Sequence, residues 1–370
     1  MKVLHTVKYY KPSLGGMESV VENIVEGIQE IDNSIDFTIY SNHHASDNMQ
    51  VLYSINQSQI VKESTPFIFK SQPFSISYPY FEKSVQDFDV IHHHFPFPNL
   101  EITLLRNLKS LNKKKFVITW HANIANSRWA WISKFYFPFV KKLLVSADHI
   151  VVTSEKLYES STILHEFGHK VKIIPLSFNS IFESNNKSIR ILNATGKFKL
   201  LFVGKLRKYK GVIYLIEAIR NLDVELTIVG SGEEEQILRQ KVIEFGISHK
   251  INFVQDASNF ELKEFYQNSD LFVLPSISEA EAFGVVQLEA MANGLPVINT
   301  NLNSGVPSVS INGLTGITVQ PRNSKQIEEA IMTLMNDKEL YMQFSDNCLS
   351  RSNEFSTATM AAKYLKLYKS

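Results

Sequence analysis

Along the chain, short runs rich in Val, Ile and Phe alternate with longer stretches of helical spacing, the pattern of βαβ units and a mostly parallel sheet. In the first half the runs Lys2–Val7, Asp36–Tyr40, Val90–His93, Lys115–Thr119, His149–Val152 and Val171–Pro175 read as strands. In the second half Lys199–Val203, Glu225–Val229, Ile251–Val254, Leu271–Leu274 and Pro296–Asn299 do, with helices opening near Gly211, Glu233, Asn259 and Gly284. Between the halves, Asn179–Lys197 turns polar and includes Asn193-Ala194-Thr195-Gly196-Lys197, the composition of a linker. The expected class is α/β: two doubly wound Rossmann-like domains, residues 1–180 and 197–350, followed by a terminal segment, 351–370. Ligands of such sheets bind beyond the carboxyl ends of the strands, so two of them are expected to face a shared cleft.

The length of 370 residues fits two cores, because single cores rarely grow beyond about 250–300 residues. A hydrophobic share of 44% with 20% charged residues is that of an ordinary globular chain. The net charge of +1 speaks against a nucleic-acid partner, which demands many cations on one face. With one cysteine, Cys348, no internal disulfide or cysteine-rich zinc site is expected, in keeping with a cytoplasmic protein. The apolar start Met1–Val7 meets Lys8 too soon for a signal peptide, and no run of about 20 apolar residues predicts a membrane span.

Three segments carry candidate chemistry beside helix starts. Pro275–Ala292 runs from a strand end through an acidic loop into a helix expected to open at Phe283-Gly284, whose free N–H groups suit a phosphate. Glu281 precedes that helix and Glu289 lies about two turns along it, too far apart for one metal but placed to hold hydroxyls at two ends of an extended ligand. Phe202–Gly211 is a strand, a loop with Lys205, Arg207, Lys208 and Lys210, and a helix. Cations at a helix N-terminus oppose its dipole, and an anionic ligand would compensate. Pro12–Glu18 follows the first strand with Gly15 and Gly16, which permit close backbone approach, but G-x-G-x-x-G is absent, which counts against a dinucleotide enzyme. Taken singly, either glutamate fits a capped helix equally well, while the basic loop and the glycine pair are more simply a solvated loop and a turn.

Glu281 and Glu289 together form E-x7-E, and the stretch Glu281–Ile298 resembles the hallmark of glycosyltransferase family 4, retaining enzymes with two Rossmann-like domains, the GT-B fold. The resemblance covers nearly the whole chain, including a terminal helix near Thr357–Tyr368 that in this fold often crosses back to the first domain. It implies that Glu281 contacts the transferred sugar, that amides of Phe283, Gly284 and Val285 meet sugar and diphosphate, and that Glu289 holds the ribose. Phe202–Gly211 resembles the family's G-R-L-x-x-x-K-G, whose basic pair clamps the diphosphate beside Gly204. Lys210 matches directly, whereas Lys205 replaces an arginine and loses its bidentate fork. Gly15 and Gly16 resemble the GG-x-E loop that reaches toward donor phosphate and acceptor, and Gly230-Ser231-Gly232-Glu233 resembles the loop beside the nucleotide base.

Three consecutive histidines, His92, His93 and His94, invite a metal reading, but strand alternation sends His93 to the face opposite the other two, and no metal site is expected. Asp87-Phe88-Asp89 is formally D-x-D, yet it directly precedes a buried strand and reads as strand-entry polarity. His92–Pro96 and Trp120–Asn123 resemble segments of O-antigen and exopolysaccharide mannosyl- and rhamnosyl-transferases, which implies a reacting role for His121, with His94 as cleft lining. Arg128–Val145 is aromatic and basic, suited to packing on the sheet or to lying on an anionic membrane.

The resemblance thus implies transfer from a nucleotide-sugar, GDP-mannose before a UDP-hexose, to a lipid-linked or oligosaccharide acceptor in bacterial surface polysaccharide biosynthesis, in the cytoplasm or peripherally on the inner face of the cytoplasmic membrane. No cofactor is implied, the nucleotide-sugar being a substrate. A nucleotide-sugar epimerase of the same fold and a non-catalytic partner subunit are the alternatives.

Overall fold

The computed structural model describes residues 1–11, 16–43, 51–55, 58–65, 67–69, 72–74, 78–123, 130–182 and 196–370, without the side chains of 43, 51–53, 55, 67–69, 72–74 and 130–135. The chain divides into two units, Met1–Leu176 joined by Thr357–Ser370, and Ser177–Ser356. Of the polar segment Asn179–Lys197, residues 183–195 lie outside the described residues.

The first unit contains β1 (Lys2–Thr6), β2 (Asp36–His43), β3 (Val51–Ile55), β4 (Ser58–Ser64), β5 (Phe67–Phe69), β6 (Gln72–Phe74), β7 (Val90–Phe95), β8 (Lys115–Trp120), β9 (His149–Val152) and β10 (Val171–Ile173). Eight of them form one sheet in the order β10-β9-β8-β7-β1-β2-β4-β3, parallel except for β3, while β5 and β6 pair separately. The central strands read as apolar runs because helices cover both faces, and all six residues of β7 are buried. The strands β3 to β6 are not among those expected from the sequence. In β4 only Ile60 and Val61 carry the apolar signal, between polar ends.

The second unit contains β11 (Phe198–Val203), β12 (Val224–Val229), β13 (Ile251–Val254), β14 (Leu271–Val273), β15 (Val297–Thr300) and β16 (Gly316–Val319). Its sheet is wholly parallel, in the order β13-β12-β11-β14-β15-β16. Counted from its own first strand this is 3-2-1-4-5-6, the doubly wound nucleotide-binding order. Acidic residues ahead of three strands tie sheet edges together. Asp89 Oδ2 accepts the Lys2 N–H at 2.8 Å, Asp148 Oδ2 that of Phe116 at 2.7 Å, and Asp270 Oδ2 that of Lys199 at 2.8 Å. Asp89 of the D-x-D triplet is thereby occupied in strand entry.

The helices that bear on the sites below are α1 (Gly16–Ile31), α2 (Ala130–Ser146), α3 (Asn259–Asn268), α4 (Val286–Ala292) and α5 (Thr357–Lys369). No helix among the described residues is long and apolar enough to cross a membrane. α1 buries Val20, Val21, Ile24, Val25 and Ile28 along one stripe. α5, the last helix of the chain, packs on α1 within the first unit, and Gly27 sets how close they come. A Cβ there would sit 2.8 Å from both Ala361 Cβ and Thr357 Cγ2. Lys369 Nζ, 2.8 Å from Asp32 Oδ2, ties the far end of α5 to the end of α1.

Gly27→Val should therefore push α5 away and lower stability by about 1–3 kcal/mol, the usual cost of overpacking, read as a lower urea midpoint at unchanged m-value.

Candidate active site

In the second unit the strand order reverses between β11 and β14, so the loops leaving these two strands run side by side at the carboxyl edge. The Ile277 N–H donates to Tyr209 O at 2.7 Å and joins them. The loop after β12 is sewn to the same place, with Gly204 N–H on Val229 O at 2.9 Å and Leu206 N–H on Ser231 O at 2.9 Å. Lys210 Nζ consequently stands 2.5 Å from Glu281 Oε2, each side chain only 10% exposed. Ser276 Oγ donates to the same carboxylate oxygen at 3.0 Å and is fixed in turn by Thr300 Oγ1, which donates to Ser276 O at 2.6 Å. Two groups that would each be costly to bury alone are thus held as a pair. Lys205 is exposed and makes no ion pair among the described residues.

The helix after this loop begins at Val286, not at Phe283-Gly284. Gly284 has φ +73°, a left-handed conformation that a right-handed helix cannot include, so Phe283, Gly284 and Val285 belong to the loop. Among the described residues the N–H groups of Ala282, Phe283, Gly284 and Val285 have no protein acceptor. A row of such amides is an anion-binding concavity in its own right. α4 has only seven residues, so the loop amides, rather than a long helix dipole, supply the positive end. The Phe283 ring is buried and meets Phe355 edge-on, with centroids 6.3 Å apart.

Glu289 lies on α4 and accepts a hydrogen bond from Tyr266 Oη at 2.7 Å. Tyr266 comes from α3, whose start is fixed by a capping box between Ser258 and Glu261. Burial raises the Glu289 carboxyl to about 7, with the Tyr266 hydroxyl pulling the other way.

In the first unit the histidines divide as strand alternation requires. His93 shares a face with Thr6, bonding Thr6 Oγ1 at 2.8 Å, and lies 3.4 Å from Glu101 Oε1. On the other face His92 and His94 meet His5, which stands beside His92 in the register of β1 with β7. The expectation that His94 lines a cleft is corrected: it is fully buried, with His5 on one ring nitrogen at 3.0 Å and His121 on the other at 2.9 Å. His5, His92 and His94 offer ring nitrogens within 4.8 Å of one another, a spacing that a metal could use. Each of their six nitrogens already has a hydrogen-bond partner.

His121 follows β8 and is half-buried. Its backbone N–H bonds Phe95 O at 3.1 Å, and the preceding Trp120 stacks on Phe95 with ring centroids 3.8 Å apart. Trp120 Nε1 donates to Asn123 Oδ1 at 2.8 Å, which closes the turn around His121. Gly16 is exposed at the first turn of α1, and Gly15 lies outside the described residues, as does Arg128.

The sequence reading missed Ser276, Tyr266, His5, Tyr364 and Tyr368. Ser276 and Tyr266 look like ordinary loop and helix residues until the fold brings them to Glu281 and Glu289. His5 carried a readable signal, a polar residue inside the apolar run of a central strand, and Tyr364 and Tyr368 stand at helical spacing on α5.

Because the Glu289 carboxyl is raised above its ordinary 4.5, between about pH 5 and pH 7 the folded chain holds a proton that the unfolded chain has released. Stability should fall as pH rises through that window, by on the order of 1–3 kcal/mol. Glu289→Gln should flatten this decline in urea midpoints measured from pH 5 to 8; an unchanged slope would exclude Glu289 as its source.

Two family models match the chain, "Glycosyltransferase Family 4" over residues 14–180 and "Glycosyl transferases group 1" over residues 184–350. It is 27% identical to the O-antigen chain mannosyltransferase C of Escherichia coli, over 100% of this chain and 98% of that protein. It is 27% identical to the D-rhamnosyltransferase WbpZ of Pseudomonas aeruginosa, over 97% of this chain and 93% of that protein. Among solved structures, a sucrose-phosphate synthase from Thermosynechococcus elongatus superposes with a TM-score of 0.78 at 19% identity, covering 100% of this chain and 98% of that one. The chain belongs to the glycosyltransferases of family 4 and group 1, with the two Rossmann-like units of the GT-B fold.

Proposed function

We propose that the chain moves a hexose from a nucleotide-sugar to a lipid-linked or oligosaccharide acceptor in the assembly of a bacterial surface polysaccharide, with retention of anomeric configuration. The observation that carries this reading is the Lys210–Glu281 pair beside the unpartnered amides of Phe283, Gly284 and Val285, at the strand reversal of a nucleotide-binding sheet. An ammonium and a row of N–H groups suit a diphosphate, while the adjoining carboxylate suits the hydroxyls of the sugar attached to it. Glu289, one helical stretch away and steadied by Tyr266, is assigned the ribose. Gly204 gives the backbone room beside the diphosphate. Gly16 is assigned to the donor, Gly15 to the acceptor and His121 to the reacting groups.

Glu281 is engaged by Lys210 and Ser276, which favours a sugar-holding role over covalent attack. The proposed step is front-face displacement. The acceptor oxygen bonds the anomeric carbon as the bond to the diphosphate breaks, and the departing diphosphate takes the acceptor's proton. Lys210, Lys205 and the loop amides offset the charge that develops, so no metal ion or cofactor is required. The names of the mannosyl- and rhamnosyl-transferase relatives support GDP-mannose as donor, before a UDP-hexose. Exposed Phe139, Lys141, Lys142 and Val145 of α2 support peripheral contact with the inner face of a cytoplasmic membrane.

Glu281→Ala should abolish transfer at any donor concentration, whereas Glu289→Ala should chiefly raise the donor KM. Both are read with radiolabelled donor in excess chelator, where the wild-type rate should be unchanged; an absolute requirement for Mg²⁺ or Mn²⁺ would overturn the metal-free step. In thermal unfolding, a GDP-sugar at 100 times its Kd should stabilise the chain by about 2.7 kcal/mol, and a UDP-sugar at equal concentration by less. The reverse order would move the donor assignment to UDP.

A further inference from the structure

Seven side chains of the first unit form one unbranched line of hydrogen bonds. Tyr364 Oη lies 3.1 Å from Thr119 Oγ1, and Thr119 Oγ1 lies 2.7 Å from His92 Nε2. His92 Nδ1 is 2.6 Å from Tyr368 Oη, which is 3.3 Å from His5 Nε2. His5 Nδ1 then meets His94 Nε2 at 3.0 Å, and His94 Nδ1 meets His121 Nε2 at 2.9 Å. Every member except His121 is buried. Burial holds all four imidazoles neutral at physiological pH: those of His5 and His121 are lowered to about 3, and those of His92 and His94 lie well below the ordinary value.

A neutral imidazole has one N–H and one lone pair, so the line runs in one direction or the other unless a hydroxyl accepts from both neighbours, which would leave its own proton unbonded in the interior. The closed end decides between the two directions. Among the described residues Tyr364 Oη has no partner but Thr119, so its proton must go there or remain unbonded in the interior. If Tyr364 donates to Thr119, the Thr119 proton goes to His92 Nε2 and His92 Nδ1–H goes to Tyr368. Tyr368 then donates to His5 Nε2, His5 Nδ1–H to His94 Nε2, and His94 Nδ1–H to His121 Nε2. The one ring proton left over is on His121 Nδ1, which has no protein partner among the described residues. The opposite polarity would strand the Tyr364 proton and give His121 a bare Nδ1 lone pair instead.

We propose that Tyr364, Thr119, His92, Tyr368, His5 and His94 are positioning residues that lock His121 as its Nδ1–H tautomer, so that His121 meets the substrate as a hydrogen-bond donor and not as a base. The group it fits is an uncharged or anionic oxygen, a sugar hydroxyl or a phosphate oxygen. In its functional consequence this rests on the glycosyl-transfer reading. The tautomer itself does not.

The test is ¹⁵N NMR of imidazole-labelled protein near neutral pH, with His121 assigned by comparison with His121→Gln. In the wild type, His121 Nδ1 should carry the proton and Nε2 should show the shift of an unprotonated acceptor. Tyr364→Phe removes the proton that sets the direction, so a second His121 population protonated on Nε2 should appear. Transfer should then fall about tenfold in kcat with little change in donor KM. Thr119→Ser should keep the wild-type tautomer and rate, and Thr119→Val should lose both, which supplies the comparison if Tyr364→Phe fails to fold. A wild-type His121 protonated on Nε2 would overturn the proposal, as would a tautomer indifferent to both Tyr364→Phe and Thr119→Val. Absence of transfer by the wild type would instead count against the proposed function, because the NMR measurement needs no substrate.

Discussion

A parallel sheet built from right-handed crossovers must send its helices to opposite faces where the strand order reverses, and the loops on either side of that point are left uncovered. Most of the chemistry here is arranged beside such a reversal. In the second unit it falls between β11 and β14, which is why a lysine at 210 and a glutamate at 281, distant in sequence, come within 2.5 Å. In the first unit it falls between β1 and β7, and the same rule sets His5 beside His92. The two places differ in how their polar groups are satisfied. The first uses opposite charges, the second neutral rings that exchange hydrogen bonds.

That difference follows from depth. Lys210 and Glu281 sit in loops past the strand ends, where a charged pair can keep some contact with water. His5, His92 and His94 sit within the strands, where an ion would be far more expensive and a neutral imidazole is the tolerable form. A line of neutral groups must then balance its donors and acceptors, and this is what gives six interior residues a say in the state of one half-buried histidine. Glu289 lies between the two regimes, a half-buried carboxyl whose protonation is divided near neutrality.

Much of this was legible in the sequence, for identifiable reasons. Alternating apolar runs and helical spacing marked the central strands, since those strands are buried on both faces. β4 was illegible because its apolar signal is confined to Ile60 and Val61 between polar ends, and β5 and β6 because three residues each show no period. The motif around Glu281 and Glu289 stood out by its residues alone, but the start of α4 was misplaced by two or three positions. Glycine there read as a helix opener, while its left-handed φ makes it part of the loop. The partners Ser276, Tyr266 and Tyr368 could not be foreseen, because spacing along a chain does not reveal which surfaces a later helix will cover. His94 was recognised as notable and assigned to the wrong side of the surface, since alternation gives the face of a strand but not what lies on it.

The return of α5 to the first unit has a consequence for how the molecule is made. His5 is made 363 residues before Tyr368, whose hydroxyl donates to its ring. Throughout translation of the second unit, the first sheet therefore carries a patch of imidazoles with no phenol to answer them. The amino-terminal unit cannot reach its final structure ahead of the rest, although its strands come first. Folding of the first sheet closes only when a segment made after the second unit has returned to it.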